Sequence, residues 1–494
     1  MESKINRITD ILRRDDGISG AMHYTEQISW ILFLKFLNDL EDSKADEALL
    51  IGKEYICILD EKFKWSNWAV PKVNGKIDLI NAASGSDLLD FVNKELFPYL
   101  KGFKNITEDP KSIKYKIGAI FEFLDNRIAN GHTLREVLDV IDELDFHNQS
   151  DLFQLSLIYE KLLKDMGSDG GNSGEFYTPR PLIKVMADVV NPQIGQTIYD
   201  PAVGSCGFLI EAYNHIRYID LKANKQRDIS VDQLKFLSEE SFFGNEKTPL
   251  SYVMGVMNMI LHGIESPNIA KTNTLTKDIR GLEEKDRYDI ILANPPFGGK
   301  EKEQIQQNFP IKSNATELLF LQHMMNSLKL NGRCGVVIPE GVLFQTNNAF
   351  QAVKKELLER FNVHTILSLP SGVFLPYSGV KTNVIFFDRN GSTSEIFYYE
   401  LNPSSKLTKN KPINNGHFEE FLSVWKERTV TENSWLVNIA DIKDFDISAK
   451  NPNKNEAIDH KSPIELVENI KLNTAEINDL MNEIEEILMG ERDV

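Results

Sequence analysis

Four residues, Asn294-Pro295-Pro296-Phe297, end an apolar run, Tyr288-Asp289-Ile290-Ile291-Leu292-Ala293, with the composition of a buried strand. The two prolines remove two backbone donors and fix two φ angles, so a central strand cannot continue through them. An exocyclic amine on an aromatic base is a poor nucleophile, because its lone pair is delocalised into the ring. Two acceptors aimed at its N–H bonds favour pyramidalisation and free that pair. The Asn294 side-chain carbonyl and the Pro295 backbone carbonyl are of the right type. Phe297 offers a face on which the base can stack. A base inside a duplex reaches such a pocket only when flipped out, at a cost on the order of a few kcal/mol. The other reading of the four residues is a plain turn, since Asn-Pro commonly starts loops.

Two acidic positions belong to the same chemistry. "YDPAVGSCGF" (199–208) closes a short strand with Asp200, a turn of small residues and a helix start, a place where backbone N–H groups can face a cofactor. It lacks the GxGxxG spacing of a dinucleotide site, and Cys206 stands where a second glycine is expected. Glu246 ends the next strand, "FFGNE", where a carboxylate can accept from both hydroxyls of a ribose. Each has a bland alternative: a glycine turn, a surface glutamate, a small buried cysteine.

These residues need a scaffold that brings strand ends together. From about residue 175, strands alternate with helices: "TIYD" (197–200), a helix at 207–219, "FFGNE" (242–246), a helix at 253–264, "YDIILA" (288–293), a helix at 317–329, then strands at 333–340, 363–370 and 382–388 with a helix at 349–361. The alternation predicts an α/β fold, a doubly wound and mainly parallel sheet, whose ligands sit at the carboxyl ends of strands. Residues 1–150 have helical apolar spacing and form an N-terminal helical domain. A helix is predicted over 151–166, then a glycine-rich loop over 167–176. The α/β domain extends over 151–455. Residues 456–494 form an amphipathic helical tail, with Ile470, Ile477 and Ile484 seven apart and Leu466, Leu480 and Ile487 between them. That seam either packs on its own domain or docks a partner.

At 494 residues and 41% hydrophobic, the chain has enough apolar mass for about three packed domains. Cys57, Cys206 and Cys334 are far apart and odd in number, which fits a reducing cytoplasm, and no histidine spacing suggests a metal. Residues 28–37, the most apolar segment, contain Lys35 and are too short to span a bilayer. The N-terminus has no apolar leader. A net charge of −18 argues against strong DNA binding by this chain alone, because phosphate neutralisation drives non-specific affinity.

"DPAVGSCGFL" followed by "ANPPFGG" resembles amino-methyltransferases that use S-adenosyl-L-methionine. Over nearly its whole length the chain resembles the modification (M) subunit of type I restriction–modification systems, a DNA adenine-N6 methyltransferase. "ISWILFLKFLND", "GEFYTPRPLIKVM" (174–186), "MNMILHGI" (257–264), "LPSGVFLPYSGVKTNVIFFD" (369–388) and "DISAKNP" (446–452) carry that likeness. The resemblance implies a Rossmann-like methyltransferase sheet. It implies that Tyr177, Thr178 and Pro179 close over the methionine end of the cofactor. Asp200 and the turn with Ala202, Gly204, Ser205 and Gly207 would hold its amino-acid part, Glu246 its ribose, and Asn273 its adenine. Asn294, Pro295, Pro296 and Phe297 would hold the target adenine, with Phe374 stacking on its other face. Asn273 stands where the family often has Asp, and Asn245 where it often has Gln.

After Asp388 no basic, aromatic-rich reading module is visible. The resemblance therefore implies that sequence recognition is delegated to a specificity (S) subunit, with two M per S. A restriction (R) subunit joins in the full complex, double-stranded DNA is the substrate, and no membrane is involved. The N-terminal domain would clamp DNA and the tail would dock the partner. Two rivals stand beside this reading: methylation of another planar amine (cytosine N4, an RNA base or a glutamine amide), and a non-catalytic scaffold of a restriction complex.

Overall fold

The structure, a computed structural model, describes residues 2–73, 76–78, 82–107, 109, 112–144, 146, 178–218, 229–264, 267–375 and 378–453, with residues 471, 474, 477, 480 and 481 of the tail. The helix predicted over 151–166, the loop over 167–176 and Tyr177 lie outside the described residues. Residues 1–451 form one compact unit and 452–494 a second.

The strands of the large sheet are β1 (Ile198–Asp200), β2 (Phe242–Glu246), β3 (Asn268–Lys271), β4 (Tyr288–Ala293), β5 (Leu328–Pro339), β6 (Asn362–Ser368), β7 (Thr382–Asp388), β8 (Glu395–Glu400) and β9 (Ser434–Asn438). Their spatial order is β9-β8-β6-β7-β5-β4-β1-β2-β3. Strands β3, β2, β1, β4 and β5 are parallel. Strand β7 runs antiparallel between β5 and β6, and β9 antiparallel to β8. Strands β6 and β8 are parallel to each other, so the sheet is mainly parallel, as expected, with β7 and β9 running against their neighbours. The link from β6 to β7 carries no crossover helix, and only such a crossover returns a strand in the parallel sense.

Period-two side-chain alternation builds a core on each face. Ile198, Ile290, Leu292, Val384 and Phe386 enter one core, while Ile291, Ala293, Val336, Ile385 and Phe387 enter the other. Each fully buried Ile or Phe contributes roughly 1.5–3 kcal/mol. The N-terminal region is helical: α1 (Glu2–Leu12), α2 (Ala21–Leu50), α3 (Gly85–Phe91), α4 (Phe97–Ile106), α5 (Ile113–Phe121) and α6 (Gly131–Asp142). It is followed by α7 (Arg180–Val190), α8 (Gly207–Ile216), α9 (Val231–Glu239), α10 (Pro249–Leu261), α11 (Thr316–Ser327) and α12 (Asn348–Arg360). Helices α7, α8 and α10 share the first core with the N-terminal helices; α11 and α12 fill the second.

Helix α10 is the hinge of this layering. Every residue from Ser251 to Leu261 is buried, the pattern of a helix enclosed on all sides. It packs between the sheet and helices α2 and α5, and Tyr252 meets Phe123 edge to face at 6.1 Å. Helix α2 is itself buried from Tyr24 to Asp39 and holds the ion pair Lys35–Asp39, at 9% and 2% side-chain exposure. Of the tail expected at 456–494, Lys471, Thr474, Ile477, Leu480 and Met481 are helical and exposed; its other residues lie outside the description.

Candidate active site

Strands β1, β2 and β4 release their chains at one edge, and the candidate residues gather there. Asp200 ends β1. Its Oδ1 accepts the Ala202 backbone N–H at 2.9 Å, the short local bond that turns the chain. Its Oδ2 is buried without a hydrogen-bond partner. Burial, reinforced by the nearby Glu246 charge, pushes the Asp200 carboxyl up to about 8. A buried carboxylate with a spare oxygen is suited to a cationic ligand.

The turn from Pro201 to Cys206 is held by backbone geometry. Gly204 (φ 49) and Cys206 (φ 62) are both left-handed. The glycine expected at position 206 is thus a conformational demand, which this sequence meets with a strained cysteine. Two other glycines admit the turn between neighbouring elements. A Cβ on Gly255 of α10 would lie 2.7 Å from the Gly204 carbonyl oxygen, and one on Gly244 would lie 2.1 Å from Val203 Cγ1. Asn258 of α10 adds a bond from Nδ2 to the Ser205 carbonyl at 2.9 Å. Burial pushes the Cys206 thiol well above its usual range, so it remains a packed thiol.

Glu246 joins this turn from β2. Its Oε2 accepts from Gly204 N at 3.0 Å and its Oε1 from Thr248 N at 2.7 Å. Burial raises its carboxyl despite both bonds. Asn273 uses its own Oδ1 to accept from Leu275 N at 3.1 Å. Thr274 then donates to the Pro201 carbonyl at 2.5 Å, tying the two loops together. Asn273 lines a polar cavity of about 180 Å³ together with Tyr199, Asn245 and His323.

A tight cleft of about 20 Å³ is lined by Thr178, Asp200, Ala202, Gly204, Ser205, Gly207 and Asn294, with Ile183, Val203 and Phe208 as apolar walls. Asn294 Nδ2 donates to Thr178 Oγ1 at 3.0 Å. That bond fixes the amide so that Oδ1 is left buried and without a partner. Pro179 precedes α7 as its N-cap residue. Pro295 is buried; Pro296 and Phe297 are half-buried. The Phe297 and Phe374 rings lie 6.2 Å apart and edge to face, at 84°. They are not parallel plates, so in this geometry one base cannot stack flat on both.

Sequence reasoning missed two residues that shape the site. Asn258 and Gly255 lie inside an apolar helix and carry no local signal. Thr178 was expected over the cofactor; the structure adds its bond to Asn294, 116 positions away. Among the described residues, no three His, Cys, Asp or Glu side chains are grouped to hold a metal. No helix among them is long and apolar enough to cross a membrane. A larger cavity of about 750 Å³ lies among Glu61, Lys62, Trp68, Asp87 and Phe91, where no unpaired buried polar atom converges.

Two family models match the chain: N-6 DNA Methylase over residues 148–461 and the HsdM N-terminal domain over residues 1–151. The chain is 34% identical to the type I restriction enzyme EcoEI methylase subunit of Escherichia coli, over 99% of this chain and 97% of that one. It is 29% identical to the EcoKI methylase subunit of E. coli K12, over 92% and 81%. Among solved structures, a modification subunit assigned to a type I restriction enzyme of Vibrio vulnificus YJ016 superimposes with a TM-score of 0.83 and 36% identity, over 93% of this chain and 99% of that one. A chain from work on complex assembly and conformational transition of the type I R-M system gives 0.76 and 40%, over 99% and 98%.

Proposed function

The chain belongs to the N-6 DNA methylase family and is a type I restriction–modification methylase subunit that methylates adenine at N6; from that premise we propose how its residues divide the work. S-adenosyl-L-methionine, when bound, supplies an electrophilic methyl group on a positively charged sulfonium. Asp200 offers Oδ2 to the cationic amino-acid end, and the turn around Gly204 to Gly207 offers backbone groups beside it. Thr178 and Pro179 close over that end, with Tyr177 assigned to it by the family likeness alone, Glu246 accepts from the ribose hydroxyls, and Asn273 borders the adenine.

A flipped-out adenine enters on the other side. Asn294 Oδ1 and the Pro295 carbonyl accept its N6 hydrogens, Pro296 keeps that segment rigid, and Phe297 supports the ring. Acceptors already in place cost no reorganisation when the amine arrives. Phe374 braces the Phe297 edge. Double-stranded DNA is clamped with help from residues 1–150, and residues 151–455 carry the chemistry. Residues 456–494 dock the specificity subunit, two M per S, and the restriction subunit joins that complex. With a net charge of −18, the chain draws its DNA affinity from the assembly.

The observation that carries this reading is the pair of buried, partnerless oxygens, Asp200 Oδ2 and Asn294 Oδ1, in one cleft. The first suits a cation and the second an N–H donor. The test is transfer of labelled methyl groups to duplex DNA by the chain with its specificity subunit, followed by nucleoside analysis. Asn294→Ala should lower turnover about 100- to 1000-fold, the effect of removing one preorganised polar contact, with cofactor affinity within twofold. Equal loss of both would refute the assignment of Asn294.

A further inference from the structure

Behind the cleft, on the opposite face of the sheet, runs a chain of buried polar groups. Tyr199 immediately precedes Asp200 and is 3% exposed. Its hydroxyl receives the Asn245 Nδ2–H bond at 2.9 Å and lies 3.0 Å from His323 Nε2. The hydroxyl oxygen can accept from Asn245 and still share a second hydrogen bond with Nε2, which Ser327 Oγ also approaches at 3.4 Å. His323 is 2% exposed and comes from α11, in the second core. Its Nδ1 has no partner, and the ring borders the 180 Å³ polar cavity. Burial holds its pKa down at about 3, so the ring is neutral across the physiological range. Tyr288 stacks on the Tyr199 ring at 4.3 Å and 17°, so the hydroxyl cannot swing away.

What this chain holds is Asn245, the residue before Glu246. The Asn245 carbonyl accepts from Val203 N at 3.1 Å. One residue on, the Glu246 carboxylate accepts from Gly204 N at 3.0 Å, and its carbonyl from Thr272 N at 2.8 Å. Residues 245 and 246 are therefore the junction on which the Asp200 turn and the Asn273 loop both hang. A tyrosine hydroxyl and an imidazole sunk into a core carry a desolvation cost, and packing alone would be served by Phe and Leu. We infer that His323, Tyr199 and Asn245 form a positioning relay that sets the Glu246 carboxylate for recognition of the cofactor ribose. The inference rests on the cofactor reading above and adds residues that touch neither cofactor nor base.

The relay makes ribose recognition depend on a hydroxyl on the far side of the sheet. Tyr199→Phe removes only that oxygen and keeps the ring stack. On the full chain, calorimetric titration with S-adenosylhomocysteine should show Kd raised about 3- to 10-fold, the weight of one or two net hydrogen bonds. With the specificity subunit present, KM for the cofactor should rise likewise while kcat stays within twofold.

The discriminating readout is the 2′-deoxyribose analogue of S-adenosylhomocysteine. If the relay acts through Glu246, the unaltered protein prefers the ribose form and Tyr199→Phe loses most of that preference. General loosening would weaken both ligands equally and overturn the inference. His323→Gln, which keeps a polar partner for the hydroxyl, should bind within twofold of the unaltered protein, whereas His323→Leu should behave as Tyr199→Phe. In a double-mutant cycle, Asn245→Ala on top of Tyr199→Phe should cost nothing further; full additivity would overturn the relay. Normal binding by Tyr199→Phe would overturn the inference alone. No binding of either ligand by the unaltered protein would overturn the cofactor reading and the inference with it.

Discussion

Cofactor binding should expel a proton. In the cofactor-free protein the Asp200 carboxyl is pushed up to about 8, first by burial and then by the Glu246 charge. At pH 7 such a group is about 90% protonated. Pairing it with a cation requires the carboxylate, so binding at pH 7 should release about 0.9 proton. Apparent affinity should tighten about ninefold between pH 6 and pH 7, because the competent fraction rises from about 1% to about 9%. The cofactor's own amine, near the usual α-amino value of about 7.7–8.0, stays mostly protonated over that interval. The assay is isothermal titration of S-adenosylmethionine into the full chain at pH 6.0, 6.5 and 7.0, in two buffers of different ionisation enthalpy. The buffer dependence of the heat reports the protons released. Stability gives a second readout. Because the folded value lies above the unfolded one, this group's stabilising effect is fully present below about pH 4 and is lost as pH rises through 8, with a slope approaching 1.4 kcal/mol per pH unit. Asp200→Asn should flatten that slope and raise the Tm of the cofactor-free protein at pH 8, while weakening cofactor binding. Flat affinity from pH 6 to pH 7 with no proton release would mean that Asp200 is already ionised, or that the cation binds elsewhere.

Further substitutions test the site and the N-terminal core. Thr178→Val removes the acceptor that fixes the Asn294 amide and should lower kcat about tenfold with little change in cofactor Kd, whereas Thr178→Ser should retain activity; equal effects of Val and Ser in single-turnover assays would refute the role. Gly255→Ala drives a methyl group to 2.7 Å from the Gly204 carbonyl oxygen. It should cost about 1–3 kcal/mol by thermal denaturation, with cofactor affinity falling in parallel. Asp39→Ala strands the Lys35 ammonium in the N-terminal core and should cost about 3–5 kcal/mol by chemical denaturation, while Lys35→Met with Asp39→Leu should recover most of it; equal loss in both would show that the pair contributes more than mutual neutralisation.

Local signals carried much of this architecture, and distance hid the rest. Strands ending at Asp200, Glu246 and Ala293 were legible because apolar runs stop at turn chemistry, and β7 was bounded correctly at 382–388. Strand β3, "NIAK", was missed because four mixed residues have no periodicity to read. Strand β8, "EIFYYE", was missed although its aromatic content favours a strand, because its four central residues are all buried and show no period-two alternation. The antiparallel sense of β7 could have been argued from its short, helix-free approach. No pattern could have paired Thr178 with Asn294, or Tyr199 with His323 across 124 positions. Nor could it have shown that Phe374 meets Phe297 by its edge, since ring orientation is set by packing.

The enclosure of α10 bears on how such chains can recombine. One side of this helix presses the Pro201–Cys206 turn through Gly255 and Asn258, and Tyr252 touches Phe123 of the N-terminal region. A chimera that imports residues 1–146 from a relative brings a foreign surface to a helix that has no wet side to absorb the mismatch. The misfit would then fall on the turn proposed to cradle the cofactor. Viable crossovers should therefore carry α10 together with the N-terminal helices, although strands β1 and β2 separate them in the gene. Inheritance in this protein follows the buried wall rather than the order of the chain.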